Sequence, residues 1–305
     1  MRYFDEVWQE EEKLLKLGLE QSRRNKRERM TTIFCIGNGE SRKDFDLEQL
    51  RQHGKIYGCN GLYRDFAPDV LVAMDYNICH EIYRSGYAFE HPVYLKQWEK
   101  NPASMYEKLF YPETAAKFIG DVDPKEYTDE WVWKDEKKNF FVCWANNVDV
   151  MREFRKKNSE WHEDDLKLHF GEDQEGYKIT WTKKKDKVMG LGKYQQEKTN
   201  AGVLIALMAA DVDKKIYLIG YDYHSKSKQV NNIYKGSKGY LGPQAKAIDP
   251  NKWINHTKRL LNKYDTEHEF IHVGEPIPEI EELERKYWTN ISYEELDERI
   301  KNNKV

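Results

Sequence analysis

No apolar run in this chain approaches the ~18 residues that a membrane-spanning helix needs, and the N-terminus lacks the apolar core of a secretion signal. Cysteine is scarce. The four thiols, Cys35, Cys59, Cys79 and Cys143, are scattered with no C-x-x-C spacing. That excludes a zinc ribbon or a redox pair and leaves free thiols of a reducing cytoplasm. Excess charge of one sign is also missing: 50 Lys and Arg against 53 Asp and Glu give a net charge of -3. No global field therefore drives the chain onto nucleic acid or a membrane, although local basic clusters remain. Internal repeats and low-complexity linkers are absent. What is present is 305 residues, 13% of them aromatic, which argues against disorder. With 34% charged residues and a mean hydropathy of -0.92, the expected object is a folded, very wet cytoplasmic protein.

The hydrophobic pattern predicts an amphipathic helix over 5–29, with Phe4, Trp8, Leu15 and Leu19 on one stripe. It ends in a basic run, residues 23–29, readable as a solvated helix end or as a phosphate contact. Short apolar runs predict strands at 31–36, 55–59, 69–74, 92–95, 140–144, 215–219 and 269–273. Helical stretches at 46–53, 76–85, 146–157, 199–210 and 252–264 lie among them. Such alternation predicts an α/β fold, a Rossmann-like, doubly wound, mainly parallel sheet. Residues 96–195 break the rhythm and read as an inserted lid or acceptor-binding region, with 176–192 as a hairpin or mobile flap. The tail reads as two polar helices split near Asn290, the second capped by Ser292 with Glu295 three residues on. The expected organisation is an N-terminal helix (1–29), a catalytic domain (30–275) and a helical tail (276–305).

Several strands end in polar residues. The first runs into Gly37-Asn38-Gly39-Glu40-Ser41-Arg42, where glycines let the backbone approach a phosphate or ribose and Asn38, Ser41 and Arg42 add donors. The third glycine of G-x-G-x-x-G is missing, so no dinucleotide fingerprint is present. The second strand ends at Cys59-Asn60, the third at Asp75-Tyr76-Asn77, and a later one at Gly220-Tyr221-Asp222-Tyr223-His224. In open α/β sheets ligands sit beyond these carboxyl ends. Thr199 and Asn200 can cap an apolar helix whose start carries the small residues Ala201 and Gly202, either as an anion site or as a plain core helix.

The order G-N-G-x-S, C-N-x-x-Y, Y-N, T-x-x-G-V and K-x-I-Y-L-x-G-x-D, with a downstream tyrosine, resembles the bacterial sialyltransferases of glycosyltransferase family 42. Related motility-accessory-factor-like proteins and uncharacterised tailed-phage proteins share part of it. The likeness covers roughly residues 31–80 and 198–235. It implies a metal-independent transferase that moves a sugar from a nucleotide-sugar donor to a hydroxyl on a glycan, protein or modified DNA, in the host cytoplasm if phage-encoded. By resemblance Gly37, Asn38, Gly39 and Ser41 hold ribose and phosphate, Asn60 and Asn77 contact nucleotide or sugar, and Gly202 admits the phosphate. Tyr234 matches one of two tyrosines that stabilise the departing phosphate, and His224, beside Tyr223, stands at the other position. Glu40 replaces the family's proline. The catalytic histidine has no counterpart near 246–250, so Asp249 or His224 is the candidate base.

Arg42, Asp75, Thr199, Asn200, Gly220 and Asp222 complete the expected donor site. No metal ligand set is assigned, and no cofactor is required. Asp121–Asp123 and Asp211–Asp213 have the D-x-D spacing that grips Mg²⁺ or Mn²⁺ elsewhere, and both also read as turns. The alternatives are a Mg²⁺-dependent phosphoryl transferase and a non-catalytic nucleotide-binding or virion-associated module. Tyr234, Lys235, Lys238 and Tyr240 suit a lid over a leaving group or a contact with nucleic acid.

Overall fold

A computed structural model describes residues 31–96, 98, 100–102, 139–145, 177–183, 185–191, 201–208, 214–264, 268–281 and 288–305. The chain divides into two compact units, Met1–Asp69 with Glu197–Val305, and Val70–Gln196. The fold is α/β and Rossmann-like, with eight parallel strands: β1 (Thr31–Ile36), β2 (Lys55–Cys59), β3 (Val70–Ala73), β4 (Val93–Leu95), β8 (Val188–Gly190), β9 (Lys214–Ile219), β10 (His268–Val273) and β11 (Trp288–Ile291).

In the first unit the strand order is β11-β10-β9-β1-β2. Winding starts at β1, moves outward to β2, then returns to β9 and continues to β10 and β11 on the other side. The reversal lies between β1 and β9, the kind of point where open sheets place ligands. Every residue from Thr32 to Ile36 is buried, so β1 is covered on both faces, which is why it reads as a continuous apolar run. On one face Val203, Leu218, Thr257, Leu260, Leu261 and Phe270 line a common interior. They belong to helix Ala201–Met208, β9, helix Asn251–Tyr264 and β10. On the other face Phe34 meets Tyr217 at 5.3 Å between centroids, and helix Tyr293–Lys301 brings Arg299 to Tyr217. Register pairs Ile36 with Ile219, Ile219 with Val273, and Val273 with Ile291. Four strand exits thus share one rim.

The tail differs from its expected form. Residues 277–305 are not helical throughout: Trp288–Ile291 is β11, paired parallel to β10. Trp-Thr-Asn-Ile is short and its burial alternates, so it carries no continuous apolar run. The Ser292 cap is as expected, with Glu295 N donating to Ser292 Oγ at 3.2 Å.

The second unit holds β3-β4-β8 in parallel and a separate antiparallel sheet of β5 (Asn101–Pro102), β6 (Asn139–Ala145) and β7 (Tyr177–Lys183). The hairpin expected over 176–192 does not form. β7 pairs with β6, whereas β8 pairs parallel with β4. Asp186 between them accepts from Tyr83 Oη at 2.9 Å and pairs with Lys100 Nζ at 2.5 Å. Helix Tyr76–Arg84 is tied to β7 by His80 Nδ1 to Thr180 Oγ1 at 2.6 Å. The expected helices 5–29 and 146–157, Thr199, Asn200, and both D-x-D triplets lie outside the described residues.

Candidate functional site

The rim is built first by backbone. Where β1 ends, Gly37 N donates to Ile219 O at 2.8 Å and Gly39 N to Gly220 O at 2.9 Å, continuing the ladder beyond the strand. The glycines are there for this approach: a Cβ on Gly39 would lie 2.4 Å from Asp222 Cγ. Gly220 adopts φ +69°, and a Cβ on it would meet Arg42 Cδ at 2.9 Å. The next two amides are also engaged. Glu40 N donates to Asn231 Oδ1 at 2.8 Å, and Ser41 N to Asp222 Oδ2 at 2.8 Å. Ser41 Oγ donates to Asp222 Oδ1 at 2.5 Å and lies 2.9 Å from Tyr293 Oη. Gly37, Gly39, Glu40 and Ser41 therefore spend their amides on the protein itself, and a carboxylate occupies the position where an anion would meet Ser41. The phosphate-cradling role expected of this backbone is filled from within.

Side chains carry what remains. Arg42, expected to face phosphate, is 4% exposed. Its Nε donates to Gly37 O at 2.6 Å and its Nη2 to Tyr234 Oη at 3.2 Å. Tyr234 Oη in turn donates to Asp65 Oδ1. Burial first, and the Asp65 hydrogen bond next, push the Tyr234 phenol well above its ordinary value, against the pull of Arg42. A second guanidinium, Arg64, stands 5.8 Å from the Tyr234 centroid and 5.3 Å from that of Tyr240. Arg64 also donates to Ser237 Oγ and Lys238 O, both at 2.7 Å. Tyr234 and Tyr240 contact each other at 5.5 Å.

Asn38 lies at the centre of this group. Its Nδ2 donates to Cys59 O at 3.3 Å and to Tyr240 Oη at 3.4 Å, and its backbone carbonyl accepts from Ile233 N at 2.9 Å. Its Oδ1 is buried with no hydrogen-bond partner among the described residues. An unpaired buried amide oxygen costs about 1–3 kcal/mol, so it is an acceptor awaiting a donor. Asn60 opens the short helix Asn60–Arg64 at φ 48°, left-handed for a residue with a side chain. Gly61 N donates to Tyr240 Oη at 2.7 Å. Segment 224–240 thus covers the ends of β1 and β2. Glu40 is neutralised there by Lys235 Nζ at 2.6 Å.

The remaining expected residues take other partners. His224 is exposed, and its Nε2 lies 3.1 Å from Glu279, so a carboxylate orients the ring. Tyr223 turns inward, its Oη 2.7 Å from Thr257 Oγ1, and burial pushes it far above its ordinary value. Asp249 accepts from Asn251 N at 3.0 Å at the start of helix Asn251–Tyr264, acting as a cap. Gly202 faces Tyr221 Oη, 3.3 Å from where its Cβ would be. Asp75, preceding helix Tyr76–Arg84, and Asn77, within it, belong to the second unit. Among the described residues no group of three His, Cys, Asp or Glu side chains is placed to hold a metal.

Sequence reasoning missed Asp65, Arg64, Asn231 and Tyr293. The first two follow Asn60 closely, in Asn-Gly-Leu-Tyr-Arg-Asp, and an adjacent opposite-charge pair after a strand end was the available signal. His272 was also missed. It is 2% exposed, stacked on Trp288 at 5.7 Å, with Nδ1 2.7 Å from Asn290 Oδ1 and Nε2 3.2 Å from Tyr221 O. Asn290 Nδ2 donates to Gly274 O at 3.0 Å, which turns its Oδ1 toward the imidazole. Burial holds His272 below its ordinary value, against the upward pull of those two acceptors. Compared with protein-family models, with curated proteins and with solved structures, the chain has no match in any of the three.

Proposed function

We propose that this chain is a glycosyltransferase that takes a sugar from a nucleotide donor and passes it to an acceptor hydroxyl. One observation carries the reading: at the strand-order reversal, Asn38 presents a buried, unpartnered amide oxygen beside two tyrosines and Arg64. An unpaired acceptor suits a ribose hydroxyl or a base amine, and the phenols and guanidinium suit the phosphate that follows it. With the loop amides engaged, recognition of the phosphate falls to these side chains rather than to backbone.

In the reaction the acceptor oxygen forms a bond to the anomeric carbon as the bond from that carbon to the phosphate oxygen breaks. The electron pair leaves on the phosphate, whose charge is met by Arg64 and Tyr240, while the Tyr234 proton stays with Asp65. The acceptor proton goes to His224. Glu279 holds its Nε2–H, so Nδ1 presents the lone pair, the usual logic of an oriented base. Segment 224–240 must open and close around the donor, with Gly236 and Gly239 at φ 79° and 78° as its turning points.

A thermal-shift panel of CMP, UDP, GDP, ADP and their sugar conjugates, read together with nucleotide release, tests the proposal. One conjugate is expected to raise the midpoint, by the equivalent of about 2.7 kcal/mol at a hundred times its Kd, and to release its nucleotide when acceptor is added. Binding without release under any acceptor would make the chain a nucleotide-binding module instead. No shift with any member would remove the nucleotide from the account.

A further inference from the structure

A second property lies on the outer surface of the segment that follows β9. Between residues 223 and 248 the chain has five lysines (226, 228, 235, 238 and 246) and no Asp, Glu or Arg. This stretch carries +5, and with a chain net of -3 the remainder carries -8. Lys226, Lys228, Lys238 and Lys246 are exposed, Lys226 with Glu275 Oε1 at 3.2 Å, whereas Lys235 is paired with Glu40. The two exposed large apolar side chains among the described residues, Leu241 at 51% and Ile248 at 50%, lie in the same stretch. Backbone pairing explains why. Val230 N donates to Ala245 O and Ala247 N to Lys228 O, with Gln229 opposite Lys246. Val230 is buried, while Lys246, opposite Gln229, and Ile248, two residues further on, are exposed. Leu241 stands in the Gly236–Gly242 turn, three residues from Lys238. Each exposed aliphatic thus has a lysine beside it.

The tyrosines of the stretch are engaged by the protein itself. Tyr223 and Tyr234 are buried, and the Tyr240 hydroxyl accepts from Gly61 N, which leaves no platform for stacked bases. We propose that this surface docks onto an anionic lipid bilayer, the lysines meeting phosphate headgroups while Leu241 and Ile248 enter the acyl boundary. Lysine charge and aliphatic insertion together give reversible anchoring where either alone is marginal.

The test is co-sedimentation of the full chain with phosphatidylglycerol–phosphatidylcholine vesicles, against phosphatidylcholine vesicles and a single-stranded oligonucleotide. The expected result is partitioning to anionic vesicles only, weakening with salt. Replacing Lys226, Lys228, Lys238 and Lys246 together by Gln should lower it by nearly three orders of magnitude, at about fivefold per lysine. Leu241→Ser with Ile248→Ser should lower it about tenfold or more, with unchanged circular dichroism. Equal partitioning to neutral vesicles, no partitioning, indifference to both variants, or binding to the oligonucleotide alone would each overturn the proposal. None of these outcomes depends on a sugar donor.

Discussion

Replacing Tyr234 by Phe isolates one atom of the rim network, because the ring keeps its contacts with Tyr240 and the two guanidiniums. The lost hydroxyl accepts from Arg42 Nη2 at 3.2 Å and donates to Asp65. Asp65 is exposed and recovers water. Arg42, 4% exposed, cannot: its Nη2 would be left a buried charged donor without that acceptor. Hydrogen bonds to charged groups contribute about 1.5–3 kcal/mol, so Tyr234→Phe should destabilise the first unit by about 2 kcal/mol. Tyr240→Phe is the matched control. It removes neutral bonds from Gly61 N at 2.7 Å and, at the longer 3.4 Å, from Asn38 Nδ2 at a half-buried position, and about 1 kcal/mol is expected. Urea unfolding read by tryptophan fluorescence gives both midpoints, with the slope checked for constancy. If Tyr234→Phe costs under about 0.5 kcal/mol, or no more than Tyr240→Phe, Arg42 is not held by this phenol and the network is misread.

Three further outcomes follow from the same geometry. Gly220→Ala should lower stability by at least about 1–2 kcal/mol, from the left-handed backbone alone, with the Arg42 side chain adding to it; a variant melting with the wild type would contradict this. His272, buried with its pKa held below the ordinary 6.5, binds its proton less readily folded than unfolded. Its contribution is complete above the unfolded pKa and declines as pH falls toward the folded one. His272→Gln should therefore flatten the loss of stability on acidification below pH ~6.5, and a parallel decline in both proteins would refute it. Burial raises Cys35 well above its ordinary value and Cys79 to about 12, so both should resist a thiol-specific disulfide reagent until the chain unfolds. Fast labelling of either in native buffer would show an open core.

The parallel strands were legible because burial on both faces writes them as unbroken apolar runs. The expected strand over 55–59 coincides with β2, and 31–36 with β1. Helix Asn251–Tyr264 was similarly visible from Ile254, Leu260 and Leu261 on one side. β11 was not, because an edge strand with alternating burial and a polar composition resembles a loop between helices. Gly37, Asn38, Gly39, Ser41, Gly220 and Asp222, expected to converge because each follows a strand end, are brought together by the fold. Their use was not legible. Whether a glycine makes room for a ligand or for Asp222 depends on the register of β1 against β9, which no local pattern encodes. The direction of Arg42 and Tyr223 likewise depends on what packs above the rim, Tyr234 in one case and Thr257 in the other.

The account stands on Asn38 as the acceptor at the heart of a nucleotide site. Titration calorimetry of the best nucleotide from the panel against wild type, Asn38→Ala and His256→Ala tests it most directly. Loss of the Asn38 contacts should weaken binding by about 1–3 kcal/mol, roughly 5- to 150-fold, while His256→Ala, in helix Asn251–Tyr264, should bind as the wild type does. Equal affinity for Asn38→Ala and wild type would contradict the placement of the nucleotide at the β1–β9 reversal.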